Sequence, residues 1–287
     1  MKFSYLQSFK SKHYKWLAFL SGALAIFGTA VDRGSSNVII PEIAEHFTAD
    51  LPTVQWVLIS YLVVVAAIML PVGRLADLIG RKIVIISGLL VFTVGGIVSA
   101  SAPEMIFLFS GRILQGLGGA MIQGTSMTIA VDAFGRKQRG RSIGLILIFV
   151  GMGNIAGPAI GGFITGFLGW RAVFLTTSLI TLGAAFLAVA ILKSDSDRER
   201  GGKFDWFGAF CFTNFLITLL AGFTMVPTFG WTSPYTWPIL GLSILFLIFF
   251  IRRSIQYDDP VLDVRLFSKP LFTASITANF LCFLGMS

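Results

Sequence analysis

The chain has 287 residues, 55% hydrophobic and only 13% charged. A soluble domain carries about 25% charged residues, so a water-soluble globule is excluded. The formal charge of +8 does not mark a nucleic-acid partner, because the basic residues sit in short segments between apolar runs, as membrane topology signals do.

The N-terminal stretch is basic and leads into an apolar run of more than 20 residues without a small-residue cleavage site, which predicts a retained first span rather than a removed leader. Apolar runs then fall at about 16–40, 53–72, 83–102, 105–130, 142–165, 171–192, 205–225 and 236–251, and a ninth begins near Leu271. Runs of this length span a bilayer as helices, since an isolated strand leaves its backbone unsatisfied in lipid. The fold class predicted is an all-α polytopic membrane protein.

With the N-terminus inside, 19 of the 22 Lys and Arg fall on the cytoplasmic side and one, Arg171, outside. Arg33 and Arg112 lie within spans, and the outer segments carry Glu42, Glu45, Asp50 and Glu104. This split predicts a multi-pass protein with a cytoplasmic N-terminus. The stretch 70–83 reads as a short charged hairpin, with glycines at 73 and 80 permitting a tight turn and Asp77 available to cap a backbone N–H or to pair with Arg81. An echo of it, Gly162-x6-Gly169 against Gly73-x6-Gly80, joins helices five and six on the opposite side, as inverted three-helix repeats do.

Charges inside spans are expensive and usually functional. Asp32 lies eight residues before Ile40 and Arg112 eight residues after Glu104. Each is therefore about 12 Å below the outer edge, at 1.5 Å per residue, and the two can share one cavity. Burial favours a neutral acid and a nearby guanidinium favours a charged one; an acid between such opposed influences can take up a proton in one conformation and lose it in another. A static ion pair holding helices one and four together is the alternative. Arg33 points about 100° away from Asp32 and either snorkels outward or lines the same cavity. Ser35 and Ser36 share the Asp32 face and make it polar. Gln115, Gln123 and Asn154 face either a central cavity or neighbouring helices. In helix five, Gly153, Gly157 and Gly161 form a smooth stripe, and Pro158 permits a kink. Cys211 and Cys282 imply neither a disulfide nor a metal site, His13 and His46 read as solvated, and Trp231 and Trp237 as interfacial aromatics. The sequence contains no nucleophile–base pair, metal-ligand cluster or phosphate loop, so no enzyme and no cofactor is expected.

Gly73-Arg74-Leu75-Ala76-Asp77-Leu78-Ile79-Gly80-Arg81-Lys82 resembles the helix 2–3 signature of the major facilitator superfamily. Gly111-Arg112-Ile113-Leu114-Gln115-Gly116-Leu117-Gly118-Gly119-Ala120 resembles that family's helix-four motif, and Gly153-Asn154-Ile155-Ala156-Gly157-Pro158-Ala159-Ile160-Gly161-Gly162 its antiporter helix-five motif. Asp32, Asn37 and Pro41 resemble the helix-one pattern of the fourteen-helix drug:proton antiporter branch, and Asp259-Pro260-Val261-Leu262-Asp263-Val264-Arg265-Leu266-Phe267 the segment before that branch's ninth helix. Where the branch carries Thr-Ile-Val in helix one, this chain has Gly34-Ser35-Ser36, with Arg33 beside the acid.

The resemblance implies a six-helix bundle over 1–193, a cytoplasmic linker with helices seven and eight over 194–270, and part of a ninth helix over 271–287, the second bundle being absent. It implies proton-coupled efflux of amphipathic drug-like compounds across the plasma membrane. A cavity would hold Asp32, Arg112, Arg33, Asn37 and Gln115. A cytoplasmic gate loop would hold Gly73, Arg74, Asp77, Gly80, Arg81 and Lys82. The helix-five stripe (Gly153, Gly157, Pro158, Gly161, Gly162) would pack on the second half, with ordinary packing inside the first bundle as the alternative. The implied partners are the lipid bilayer, protons, a small amphipathic substrate, and a second-half polypeptide or a homodimer. A carrier of one metabolite or lipid, and a truncated non-transporting subunit that binds a partner, are the alternative functions.

Overall fold

A computed structural model describes residues 2–192, 202–231, 234 and 236–284, with backbone alone at 2–13, 136, 227–229, 279 and 282–284. The predicted linker charges Lys193, Arg198 and Arg200, and the side chains of Lys2, Lys10, Lys12, His13 and Cys282, lie outside the described residues. The described chain forms nine α-helices: α1 (Lys2–Phe47), α2 (Leu51–Ile79), α3 (Arg81–Ala100), α4 (Met105–Phe134), α5 (Arg139–Leu168), α6 (Trp170–Ile191), α7 (Trp206–Phe229), α8 (Thr236–Gln256) and α9 (Pro270–Leu284). Eight of them are long and apolar enough to cross a membrane. This is an all-α polytopic architecture.

The helices outrun the apolar spans. α4 and α5 have 30 residues each, about 45 Å at 1.5 Å per residue, against a hydrocarbon core of about 30 Å. Helical hydrogen bonding continues into the polar ends, so Glu42 and Glu45 belong to α1 and Arg171 to α6 rather than to loops. The charged hairpin at 70–83 shrinks for the same reason. Gly73, Arg74 and Asp77 are helical, Arg81 and Lys82 open α3, and the turn is Gly80 alone. Its φ of 106° is open to glycine and strained for other residues. Gly169, φ 78°, makes the corresponding one-residue turn between α5 and α6, so the second glycine of each echoed pair is a helix joint.

The chain divides into two compact units, Met1–Arg200 and Gly201–Ser287. In the first, α1 packs on α5 and α6 as α4 packs on α2 and α3, while α1 meets α4 and α3 meets α6. That is the pairing an inverted three-helix repeat produces. Lipid offers no hydrophobic drive for helices to associate, so close backbone approach through small residues does this work. The bundle has two large apolar clusters and a small third one of Val72, Ala76 and Val84. Phe19, Ala23, Tyr61, Ile85, Phe92, Ile122 and Ile146 belong to one. Ile39, Ile43, Val54, Val57, Leu108, Trp170 and Phe174 belong to the other. Outward faces are apolar too: Ile155, Phe163 and Phe167 of α5 are largely solvent-accessible in the isolated chain, at 81%, 69% and 76%.

In the second unit α7 and α8 pair along their length. Asp205 caps α7, accepting from the Gly208 N–H at 3.0 Å and from Arg253 Nε of α8 at 3.1 Å. Ser254 Oγ donates to the Leu262 carbonyl and accepts from the Val264 N–H at 3.3 Å, which ties the 257–263 connection to the end of α8.

Candidate functional site: a buried ion pair between α1 and α4

Between the two apolar clusters, on the facing sides of α1 and α4, lies a polar centre. Asp32 and Arg112 are both 0% exposed and form an ion pair, Arg112 Nη1 to Asp32 Oδ2, at 2.7 Å. Arg112 Nη1 also donates to Gln115 Oε1 at 2.8 Å, and Gln115 Nε2 donates to Asp32 Oδ1 at 3.2 Å, closing a three-residue ring. Thr177 of α6 donates to Asp32 Oδ1 at 3.1 Å. Arg112 Nε donates to the Val57 carbonyl of α2 at 2.9 Å, and the guanidinium lies over the Tyr61 ring at 4.5 Å. Four helices thus meet at one carboxylate and one guanidinium. A buried pair is tolerable when both ions are close and their remaining valences are hydrogen-bonded; Asp32 meets that condition fully.

The hydroxyls behind this centre form a ladder. Thr93 and Thr181 share a hydrogen bond at 3.0 Å, and Ser178 Oγ reaches the Thr93 carbonyl at 3.3 Å. Sequence reasoning missed Thr177 and Tyr61. Their available signals were hydroxyls at 177, 178 and 181, which share one helical face in an otherwise apolar span, and a lone tyrosine in α2.

The other predicted cavity residues part company here. Arg33 is half-buried beside Asp32, and Asn37 is exposed on the same side of α1, away from the ring. Ser35 and Ser36 do not give a wet face: Ser35 Oγ donates to the Gly157 carbonyl of α5 at 2.8 Å, and Ser36 Oγ to its own helix at the Asp32 carbonyl at 2.6 Å. Asn154 is exposed.

Within the first bundle, Gly153, Gly157 and Gly161 of the helix-five stripe pack on α1. A Cβ at Gly153 would lie 2.6 Å from Ala30 Cβ, at Gly157 2.8 Å from Gly34 Cα, and at Gly161 2.8 Å from Ser35 Cβ. Gly162 lies near Val38, and the Pro158 ring touches the Gly34 position. All five motif residues therefore fit α5 to α1 over the segment that carries Asp32. The reason is steric: Gly34 and Ser35 on α1 are themselves small, so the two backbones interlock.

At one end of the bundle Arg81 pairs with Asp77, four residues before it, at 2.9 Å, and with Asp132 of α4. Asp77 therefore serves Arg81 and does not cap α3, whose N-terminus has no side-chain cap. Lys82 Nζ donates to the Val189 carbonyl at 3.2 Å and to that of Leu192 at the end of α6, where a cation suits the helix dipole. At the other end Glu42 accepts from the Trp170 N–H at 3.3 Å, and Arg171 reaches His46 and the Ala102 carbonyl, both at 3.1 Å. The repeat thus gives each one-residue turn an acid from the facing helix: Asp132 of α4 beside Gly80, Glu42 of α1 beside Gly169.

The sequence profile of the Major Facilitator Superfamily matches residues 22–287. The riboflavin transporter RibZ of Clostridioides difficile is 28% identical over 270 residues, 94% of this chain and 58% of RibZ. Multidrug resistance protein Stp of Mycobacterium tuberculosis is 30% identical over 94% of this chain and 51% of its own length. Multidrug resistance protein 3 of Bacillus subtilis is 31% identical over 91% and 50%. The chain spans about half the length of the curated relatives it matches.

Proposed function

This chain belongs to the Major Facilitator Superfamily, and from that premise we propose that it is the first bundle and linker helices of a proton-coupled exporter of amphipathic compounds, of the fourteen-helix branch. It is a multi-pass membrane protein; its placement in the plasma membrane with the N-terminus inside is part of the proposal and rests on the 19-to-1 distribution of Lys and Arg in the sequence. The observation that carries the reading is the Asp32–Arg112 pair at 2.7 Å. It joins the first helices of the two inverted repeats, so any rearrangement that separates α1 from α4 must expose or protonate Asp32. A proton entering with the membrane potential supplies about 2.3 kcal/mol per 100 mV. The Arg81–Asp77–Asp132 cluster is read as an inner-side latch, to be closed by a second bundle on a further stretch of chain or a partner copy.

Vesicles carrying the full-length protein, loaded with an amphipathic fluorescent dye and given a pH gradient, should export the dye, and a protonophore should abolish export. Export that survives the protonophore would refute proton coupling.

A second reading, a carrier of one defined metabolite, is favoured by the riboflavin transporter among the relatives, 28% identical. Saturable transport of a single compound, with no competition from unrelated amphipathic dyes, would select it.

A further inference from the structure

The polar centre has more donors than it uses. Both carboxylate oxygens of Asp32 are engaged, Oδ2 by Arg112 and Oδ1 by Gln115 and Thr177. Three buried polar atoms around it have no hydrogen-bond partner among the described residues: Arg112 Nη2, Arg33 Nε and Tyr61 Oη. Each can donate. Native structures leave few buried polar groups unsatisfied, and each such group calls for an explanation. Charge points the same way, since the Asp32–Arg112 pair is neutral as a unit and Arg33, half-buried next to Asp32 in α1, adds one positive charge in excess. The Arg112 guanidinium lies 4.5 Å from the Tyr61 ring centroid, which fixes its flat face and leaves the Nη2 edge as the free one. Arg33 is half-buried on the same side of α1 as the exposed Asn37, four residues on, so it stands between the buried centre and the surface.

From these donors and this charge we infer that Arg33, Tyr61 and Arg112 form a recognition site for the oxyanion group of an amphipathic substrate, a carboxylate or phenolate whose apolar body lies along α1. A planar oxyanion accepts from a guanidinium edge and a phenol together, and such charge-assisted bonds are about twice as strong as neutral ones. A cationic substrate finds only the phenol oxygen of Tyr61 as an unpartnered acceptor and meets the excess positive charge. The inference deepens the transport reading by naming the substrate class; it does not need the proton step.

The test is equilibrium binding to the purified full chain in an uncharged detergent, with no membrane and no gradient. The probes are 1-naphthoate and 1-naphthylmethylammonium, which share a ring system and differ in charge. Naphthoate should bind at least about tenfold more tightly, the size of one hydrogen bond to a charged group. Arg33→Gln and Tyr61→Phe should each reduce that preference about five- to tenfold, Tyr61→Phe by weakening naphthoate binding alone and Arg33→Gln also by relieving the repulsion of the ammonium probe. Arg33→Lys should keep part of it, because the charge remains and the Nε–H donor is lost. Equal or tighter binding of the ammonium probe, failure of the unaltered chain to bind naphthoate, or an unchanged preference in both variants overturns the inference. So does a site that phosphatidylglycerol occupies while naphthoate does not, which assigns it to a lipid headgroup. Because no gradient is present, failure of proton coupling leaves these results intact, and failure here leaves coupling to be judged separately.

Discussion

Arg112→Leu should destabilise the bundle by about 3–5 kcal/mol, the cost of removing one partner from a buried ion pair. The substitution leaves Asp32, 0% exposed, with only the neutral donors Gln115 and Thr177. It also removes the contact to the Val57 carbonyl and the stacking on Tyr61, so α2 loses its polar tie to α4. Asp32→Asn should cost less. Arg112 keeps two neutral acceptors, the Val57 carbonyl and Gln115 Oε1, and the Tyr61 π-face. The double variant should cost less than the sum of the two, with a coupling energy of about 1–3 kcal/mol. Equilibrium unfolding in mixed micelles, followed by helical ellipticity, reads all three. A loss below about 1 kcal/mol for Arg112→Leu would place the pair among solvated ion pairs, which contribute little, and would contradict its role as the joint between α1 and α4.

The second large effect is expected at the α3–α4 contact. A Cβ at Gly118 would lie 2.5 Å from both the Gly88 carbonyl oxygen and the Phe92 backbone nitrogen. Backbone cannot turn aside as a flexible side chain can, so the helices must separate. Gly118→Ala should cost about 1–3 kcal/mol through overpacking, and Gly118→Val more. Gly144→Ala in α5 is the control. Nothing lies within 4 Å of its added methyl, and the gain in helix propensity should stabilise by up to about 1 kcal/mol. The same micelle titration separates the two. If Gly118→Ala behaves like Gly144→Ala, α3 and α4 are not held at backbone distance.

Much of the fold was legible because membrane helices announce themselves by apolar length. The helix ends were not, since Glu42, Asp77 and Arg171 extend helices past the hydrocarbon through their own hydrogen bonding, and polarity alone read them as loop residues. Depth arithmetic brought Asp32 and Arg112 to one level, because 1.5 Å per residue is fixed by geometry. Rotation about the helix was harder. The placement of Asn37 on the exposed side, of Ser35 against Gly157, and of Thr177 against Asp32 depends on how neighbouring helices turn their faces. The helix-five glycines were legible as a packing stripe, but their partner was not: small residues are equally good against any small-residue face, and here that face is Ala30, Gly34 and Ser35 of α1. The acids at the one-residue turns, Asp132 and Glu42, are distant in sequence from Gly80 and Gly169, and the repeat symmetry that brings them there emerges only from the helix pairing.

In the proposed function, Asp32 exchanges its Arg112 partner for a proton during transport. Substrate-driven proton movement in liposomes containing the full-length protein, followed with a trapped pH indicator, tests it most directly. The unaltered protein should move protons in step with substrate, and Asp32→Asn should abolish that movement while substrate binding persists. Proton movement by the Asp32→Asn protein with unchanged stoichiometry would make the pair a static strut between α1 and α4, and the claim would fail.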